Sequence, residues 1–415
     1  GNPGIGKSFF LNYCLVRLLN AGVDVVFDVP KFEAVYYFKD SKVFTVRDGK
    51  RGEFYRTIEN DSSIVRLQDF DNEHRGVYRC ICGFTICATS PNALNYKQAL
   101  KDFRGVRTGS LLHLPLWSEG ELAAMNSTLA TEALPPAELD DRVKWVRAPR
   151  DLFGKDDFAA TKAQIKGSGF DLDTFYRFQA ACIGHERSDT ITISHKIIGI
   201  RVTGDDFRRA VVDFVAPAVK AAVMTNLAKK SKQERLDLFQ KLMSIPAACS
   251  LAGSMFEHFL HTHLPTNVDG ASGTTKCLET PATVLPAAKA GPHTTEIFTG
   301  LLPSLPLKTG IYYQPSASNF ACVDSFVLCP NGDIVGYQHT VGVKHKVKAQ
   351  PLQKFINHVF DTDKTNKLHL VFVVPEGSTG IKNPQTFEDG AGKAVKARAV
   401  QRAVQYRREV ADAAM

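Results

Sequence analysis

Gly1-Asn2-Pro3-Gly4-Ile5-Gly6-Lys7-Ser8 opens the chain with the spacing GxxxxGKS. Glycines at Gly1, Gly4 and Gly6 let backbone N–H groups turn inward as a cradle for phosphate oxygens, where side chains would clash. Lys7 is placed to reach β- and γ-phosphates, and Ser8 to ligate Mg²⁺. The run from Phe9 to Asn20 carries Phe10, Leu11, Leu15, Leu18 and Leu19 on one helical face. The start of that helix would point at the phosphates. The expected ligand is a nucleoside triphosphate, ATP or GTP, with Mg²⁺. This loop normally follows a buried strand and here opens the sequence, so the expected unit is an NTPase sheet without its first strand.

Further residues fit the same chemistry. Ile64-Val65-Arg66-Leu67-Gln68 reads as a core strand ending at Asp69. A carboxylate at that end is where such an enzyme places its second magnesium ligand, held through water. Asp71 competes for the role. Phe70, not Glu, follows Asp69, so no base for water activation is evident. Ser90 ends the next strand, where a polar group can sense the γ-phosphate, although Ser-Pro-Asn is equally ordinary turn chemistry. Arg150, after Pro149, either reaches the nucleotide from a neighbouring lid or is an exposed structural arginine.

A second constellation lies in the last third. Asn319 to Leu328 reads as a strand, Pro330-Asn331-Gly332 as a turn, and Ile334 to Val341 as a returning strand. Pro suits the first central position of the turn and Gly the left-handed one, which describes a three-residue hairpin loop with a bulge. That loop pairs Cys329 with Asp333 and sets Asp324 opposite Gln338. A two-residue Asn-Gly loop would put them on opposite faces. An acid beside a Gln across a hairpin is the metal platform of PD-(D/E)XK nucleases, and Glu257, in a helix-like run upstream, supplies a further carboxylate. These oxygens would hold a second Mg²⁺ for cleavage of nucleic acid, DNA or RNA. Thr340 stands where a Lys is usual, with Lys344, His345 or Lys346 as replacements. A polar hairpin pair without a metal is the plain alternative. His258, His261 and His263 lack a fourth zinc ligand and read as solvated or capping.

These groups need scaffolds. Residues 1–120 alternate helix and strand signals, with strands expected at Val23–Val29, Ala34–Phe38, Val43–Val46, Ser63–Gln68, Phe84–Thr89 and Leu111–Leu116. This is the pattern of a parallel sheet with helices on its faces. Residues 121–240 read as a helical lid or linker, 241–375 as a second α/β domain, and 376–415 as a polar tail, helical from Ala391 onward. Residues 266–293, rich in Gly, Thr, Pro and Ala, read as a flexible insertion. The 415 residues are 44% hydrophobic with a net charge of +8, a globular balance that leaves acidic partners plausible. No apolar run approaches the ~18 residues of a membrane span. Nine cysteines without a CxxC pair fit reduced thiols. Cys80, Cys82 and Cys87 read as core rather than metal ligands.

Taken in order, these segments resemble the Crinkler effectors, relatives of the trypanosome retrotransposon hot spot proteins. The opening loop, Ala88-Thr89-Ser90-Pro91-Asn92 with Tyr96-Lys97, and Leu114-Pro115-Leu116-Trp117-Ser118 resemble their NTPase module. Ala148-Pro149-Arg150 is similar to the family's Gly-Gly-x-Pro-Arg element, with both glycines replaced. Ala252-Gly253 with Phe256-Glu257 resembles its nuclease helix. Asn319-Phe320 with Val323-Asp324, and Gln338-His339-Thr340-Val341 with His345, resemble its catalytic hairpin. Val371-Phe372-Val373-Val374-Pro375 is similar to its closing strand. The resemblance implies a P-loop NTPase coupled to a restriction-endonuclease-like domain. It also implies an effector secreted by an oomycete or related eukaryote, acting in the host cytoplasm or nucleus as an NTP-gated nuclease. Its secretion leader would lie upstream. A non-catalytic effector that binds host protein or DNA, with a degenerate nucleotide switch, is the alternative.

Overall fold

A computed structural model describes residues 4–29, 34–69, 83–89, 112–129, 133–154, 157–176, 195–202, 207–266, 275–279, 285–288, 292–299, 302–316, 320, 323–342, 345–360, 365–389, 393–395 and 403–410. The chain is mixed α/β, its two larger sheets contain parallel pairs, and it divides into two units, Gly1–Lys229 and Lys230–Met415. Among the described residues no helix is long and apolar enough to cross a membrane.

In the first unit α1 (Lys7–Asn20) precedes β1 (Val25–Val29), β2 (Ala34–Lys39), β3 (Lys42–Arg47), α2 (Arg51–Ile58), β4 (Val65–Asp69) and β5 (Thr85–Ala88). Sheet order is β3-β2-β1-β4-β5, with β1, β4 and β5 parallel and β2 and β3 an antiparallel hairpin at one edge. Asp40 and Ser41 both take positive φ, the geometry of a two-residue turn matched to strand twist. Strand alternation sends Val25, Leu67 and Ala88 to the face that Leu11 of α1 covers, and Val26, Val35 and Ile64 to Tyr55 and Ile58 of α2. Asp69 therefore shares the α1 face, two residues beyond Leu67.

The rest of this unit departs from a purely helical reading. It holds α3 (Glu119–Thr128), α4 (Pro136–Val143), α5 (Pro149–Phe153), α6 (Phe158–Gly167) and α7 (Pro217–Leu227), but also an antiparallel pair, β6 (Ile198–Val202) with β7 (Ala210–Phe214). Both strands are rich in β-branched residues, which overrides their helical surroundings. Residues 112–116, expected in a strand, form none. Pro115 cannot donate to a ladder, and the His113 N–H bonds instead to the Phe207 carbonyl at 2.8 Å.

The second unit begins with α8 (Lys232–Met243) and α9 (Cys249–His263), then β8 (Thr275–Cys277), β9 (Thr294–Phe298), β10 (Ile311–Pro315), β11 (Ser325–Leu328) and β12 (Ile334–His339). β13 (Val347–Lys348), α10 (Ala349–Val359), β14 (Leu368–Pro375), β15 (Phe387–Glu388), β16 (Ala394–Val395) and β17 (Ala403–Val410) follow. Seven strands run in the order β8-β17-β14-β12-β11-β10-β9. β14 is apolar almost throughout because both of its faces are buried. Leu352, Phe355 and Ile356 of α10 cover one face of the sheet with Tyr313, Phe326 and Phe372. α9 lies on the other, where Gly253 approaches Val341 and His261 meets Tyr312.

Two expectations change here. The tail is not helical over residues 403–410: β17 pairs in parallel with β14 and buries Tyr406, Arg408 and Val410 on alternate positions. The stretch 266–293 contains β8, paired with β17 through Cys277 and Tyr406. An available edge of β14 outweighed the helical propensity of an Ala- and Arg-rich segment.

The hairpin register is the one that a three-residue loop demands. Leu328 pairs with Ile334 and Ser325 with Tyr337, while Cys329 N donates to Asp333 O at 2.8 Å. Gly332 has φ +84°, and a Cβ there would lie 2.6 Å from Asn366 Nδ2. Gly332→Ala should cost about 1–3 kcal/mol, the range for a strained backbone position, measured as a lower melting temperature of the second unit by circular dichroism.

Candidate functional site

The first centre is built around the start of α1. Gly4 and Gly6 have φ +72° and +90°, conformations open to glycine. Gly6 is the N-cap and offers no side chain to the first-turn N–H groups, which suits an anion. Trp117 reaches in from a distant segment, and its Nε1–H donates to Ile5 O at 2.9 Å, pinning the loop. Arg150, at the start of α5, donates its N–H to Gly4 O at 3.4 Å. A Cβ on Gly4 would lie 2.9 Å from Arg150 Cβ and 3.0 Å from its Nε. Gly4 thus makes room for the arginine.

Electrostatics tie these residues together. Burial, then the Arg150 charge, pull the Lys7 ammonium down to about 8, with Asp69 opposing. His195 is pushed down to about 4 by burial first, and then by Lys7 and Arg150. Four groups scattered along the chain therefore meet at one helix start. Ser8 is exposed there. Gly1, Asp71, Ser90 and the segments 91–97 and 70–82 lie outside the described residues. Sequence reasoning did not single out His195. A lone histidine before a short strand carries no motif, and only folding brings it to Lys7.

The second centre lies where β11 begins and β12 ends. Gln338 Nε2 donates to Asp324 Oδ2 at 2.8 Å, and the His339 backbone N–H donates to the same oxygen at 2.6 Å. Asp324 N donates to Tyr337 O at 2.8 Å, while Ser325 is the residue paired with Tyr337. Two successive residues thus oppose one, the signature of a bulge, which re-aims the Asp324 side chain at the strand end.

Glu257 lies on α9. Gly336 faces Val323 and Leu368, in the core shared with α10, and Gln338, two residues on, leaves β12 on that face. His339 leaves toward α9, where its ring centroid lies 4.9 Å from that of His261. His261 Nε2 is 4.0 Å from Glu257 Oε1, one turn earlier on α9. The structure thus brings Asp324 and Gln338 together at the end of β12, with Gln338 on the α10 face and His339, His261 and Glu257 on the α9 face. Between them lies Tyr312. Its hydroxyl hydrogen-bonds Ser325 Oγ at 2.6 Å and His261 Nδ1 at 3.1 Å. Burial, followed by smaller contributions that include the Asp324 and Glu257 carboxylates, holds that hydroxyl well above its usual range.

Of the nearby basic residues, Lys344 lies outside the described residues. His345 donates its backbone N–H to Gln385 Oε1 at 2.8 Å and sets its ring against Phe372, and burial lowers its pKa. Lys346 pairs with Glu388 at 3.0 Å, and Lys348 is exposed at the N-cap of α10. Among the described residues no three His, Cys, Asp or Glu side chains are gathered as a metal-holding group. No protein-family model, curated protein or solved structure matches this chain.

Proposed function

We propose that this protein is a Crinkler-like effector whose first unit binds a magnesium nucleoside triphosphate and whose second unit cleaves nucleic acid with a divalent cation. One observation carries the reading: Lys7, Asp69 and Arg150 gather at the uncapped start of α1, beside two glycines with positive φ. A lysine whose charged form is destabilised by burial and a neighbouring arginine is relieved by a polyphosphate. Lys7 and Arg150 would balance its charge, the first-turn N–H groups would hold its oxygens, and Ser8 and Asp69 would take the cation.

In the second unit, Asp324 and Gln338 meet at the end of β12, and Glu257 would contribute from α9. A cation there supplies Lewis-acid activation of water and stabilises charge developing on phosphorus. The full chain should bind a fluorescent ATP or GTP analogue in the presence of Mg²⁺, and should degrade labelled DNA or RNA with Mg²⁺ or Mn²⁺. Gating would register as a change in cleavage rate when triphosphate is added. Asp324→Ala should lower cleavage by at least about 100-fold, the scale of losing one transition-state stabiliser. Intact cleavage in that variant, or none in the wild type, overturns the nuclease half.

A second reading has its own support. Asp324 Oδ2 is already engaged by Gln338 and His339, and no described group is gathered for a metal. Unit two is then a binding module for host protein or DNA, and the loop a nucleotide switch. Retained activity in host cells after both Lys7→Ala and Asp324→Ala would select it.

A further inference from the structure

His339 is the least satisfied polar side chain at the second centre. Its residue is 9% exposed, and among the described residues neither Nδ1 nor Nε2 has a hydrogen-bond partner. Burying an imidazole with both nitrogens unpaired costs free energy, so such a group points to a missing partner. Asp324 Oδ2 lies 3.9 Å from its Nδ1, and the His261 ring faces it from α9.

His261 Nδ1 shares a hydrogen bond with the Tyr312 hydroxyl, and its Nε2 lies on the side of Glu257 Oε1. A metal-binding imidazole is commonly oriented by an outer oxygen bonded to its second nitrogen. Two donors each about 2.1 Å from one cation stand roughly 3.0–4.2 Å apart, depending on the angle between them. The His339–Asp324 and His261–Glu257 separations, 3.9 and 4.0 Å, both fall in that window.

We propose that the space between α9 and the end of β12 takes a divalent transition-metal ion, bound by His339 and Asp324 of the sheet and His261 and Glu257 of the helix. The proposal rests on the reading of unit two as a cation-dependent centre, and it replaces Gln338, on the other face of β12, with His339. The four side chains are not yet gathered as a ligand group, so binding draws the α9 pair toward the sheet by side-chain rotation. Two carboxylates and two neutral imidazoles balance a double positive charge. Mixed nitrogen and oxygen donors favour a borderline ion over Mg²⁺, which prefers oxygen alone.

The test is a Co²⁺ titration of the full chain after EDTA treatment, followed by visible d–d absorption. Wild type should bind one Co²⁺ with a spectrum distinct from the aquo ion. His339→Ala and His261→Ala should weaken binding by at least the roughly 10–100-fold that loss of an outer partner costs. His358→Ala, elsewhere in the unit, should not. If His339→Ala fails to fold, Glu257→Gln, at a partly exposed helix position, should show the same drop with the fold kept. Absence of Co²⁺ binding, equal binding by all variants, or loss with Gln338→Ala but not His339→Ala overturns the proposal. Co²⁺ bound through His339 without any nucleic-acid cleavage upholds this site and removes the nuclease reading. Mg²⁺-dependent cleavage untouched by His339→Ala, with no Co²⁺ bound, does the reverse.

Discussion

Lys7→Ala should weaken binding of a fluorescent ATP or GTP analogue by roughly 30-fold to several-thousand-fold, the equivalent of about 2–5 kcal/mol for deleting one partner of a buried charged pair. The same substitution should not destabilise the fold, and Lys7→Met should stabilise it. Burial and Arg150 bring Lys7 down from 10.5 to about 8. Between those values the unfolded chain binds the extra proton, so stability rises with pH across that window. Below pH 8 the ammonium is charged in both states, and its full cost, at most about 3 kcal/mol, is present. Lys7→Met should therefore raise the urea midpoint of unit one at pH 7, with the gain fading toward pH 10.5. Both tryptophans, Trp117 and Trp145, lie in that unit, so their fluorescence reports it alone. Nucleotide affinity should fall as pH rises above about 8, where free Lys7 loses its proton. An unchanged affinity in Lys7→Ala would remove the nucleotide reading. A stabilised but non-binding Lys7→Met would show a site that holds charge against the interest of the fold.

Asp28→Ala should destabilise the same unit by about 3–5 kcal/mol, the cost of removing one partner from a buried ion pair. Asp28 is 3% exposed, and its Oδ2 accepts from Arg66 Nη2 at 2.7 Å, Tyr55 OH at 2.8 Å and Gln68 Nε2 at 3.3 Å. Arg66, 2% exposed, also lies over the Tyr55 ring, with 4.6 Å from Cζ to the centroid. Truncating the carboxylate removes the acid with which the buried guanidinium pairs at 2.7 Å. Asp28→Asn keeps the shape of the network and loses only its charge, so comparing the two separates packing from electrostatics. Tryptophan fluorescence in urea is again the readout. A loss below about 1 kcal/mol, the scale of an exposed ion pair, would mean that Arg66 finds another partner.

The local features of this chain were legible before the fold was known. The glycine spacing before α1 and the apolar face of that helix announce the loop. The Pro-Asn-Gly turn sets the register of β11 and β12, from Leu328 opposite Ile334 to Ser325 opposite Tyr337, because an odd loop fixes which residues share a face; the bulge that re-aims Asp324 was not legible. The segment 371–375, expected as a closing strand from the family resemblance alone, lies within β14. Composition misled at the end of the chain, where alanine and arginine read as helix. Ala403–Val410 instead completes the sheet, since pairing with β14 buries Tyr406 and Val410. Arg66 lay within the strand expected over Ser63–Gln68, and nothing in the sequence linked it to Asp28.

By itself the sequence determined which chemical groups are present and how neighbours along one element face one another, because 3.6 and 2.0 residue periods are properties of the backbone. Only the tertiary structure decided which distant groups meet. Trp117, Arg150 and His195 reach the α1 loop through packing of segments far apart in sequence. The same packing set α9 against the His339 face of β12 rather than the Gln338 face. Burial of an apolar surface chooses that face, and the polar residues beside it are carried along.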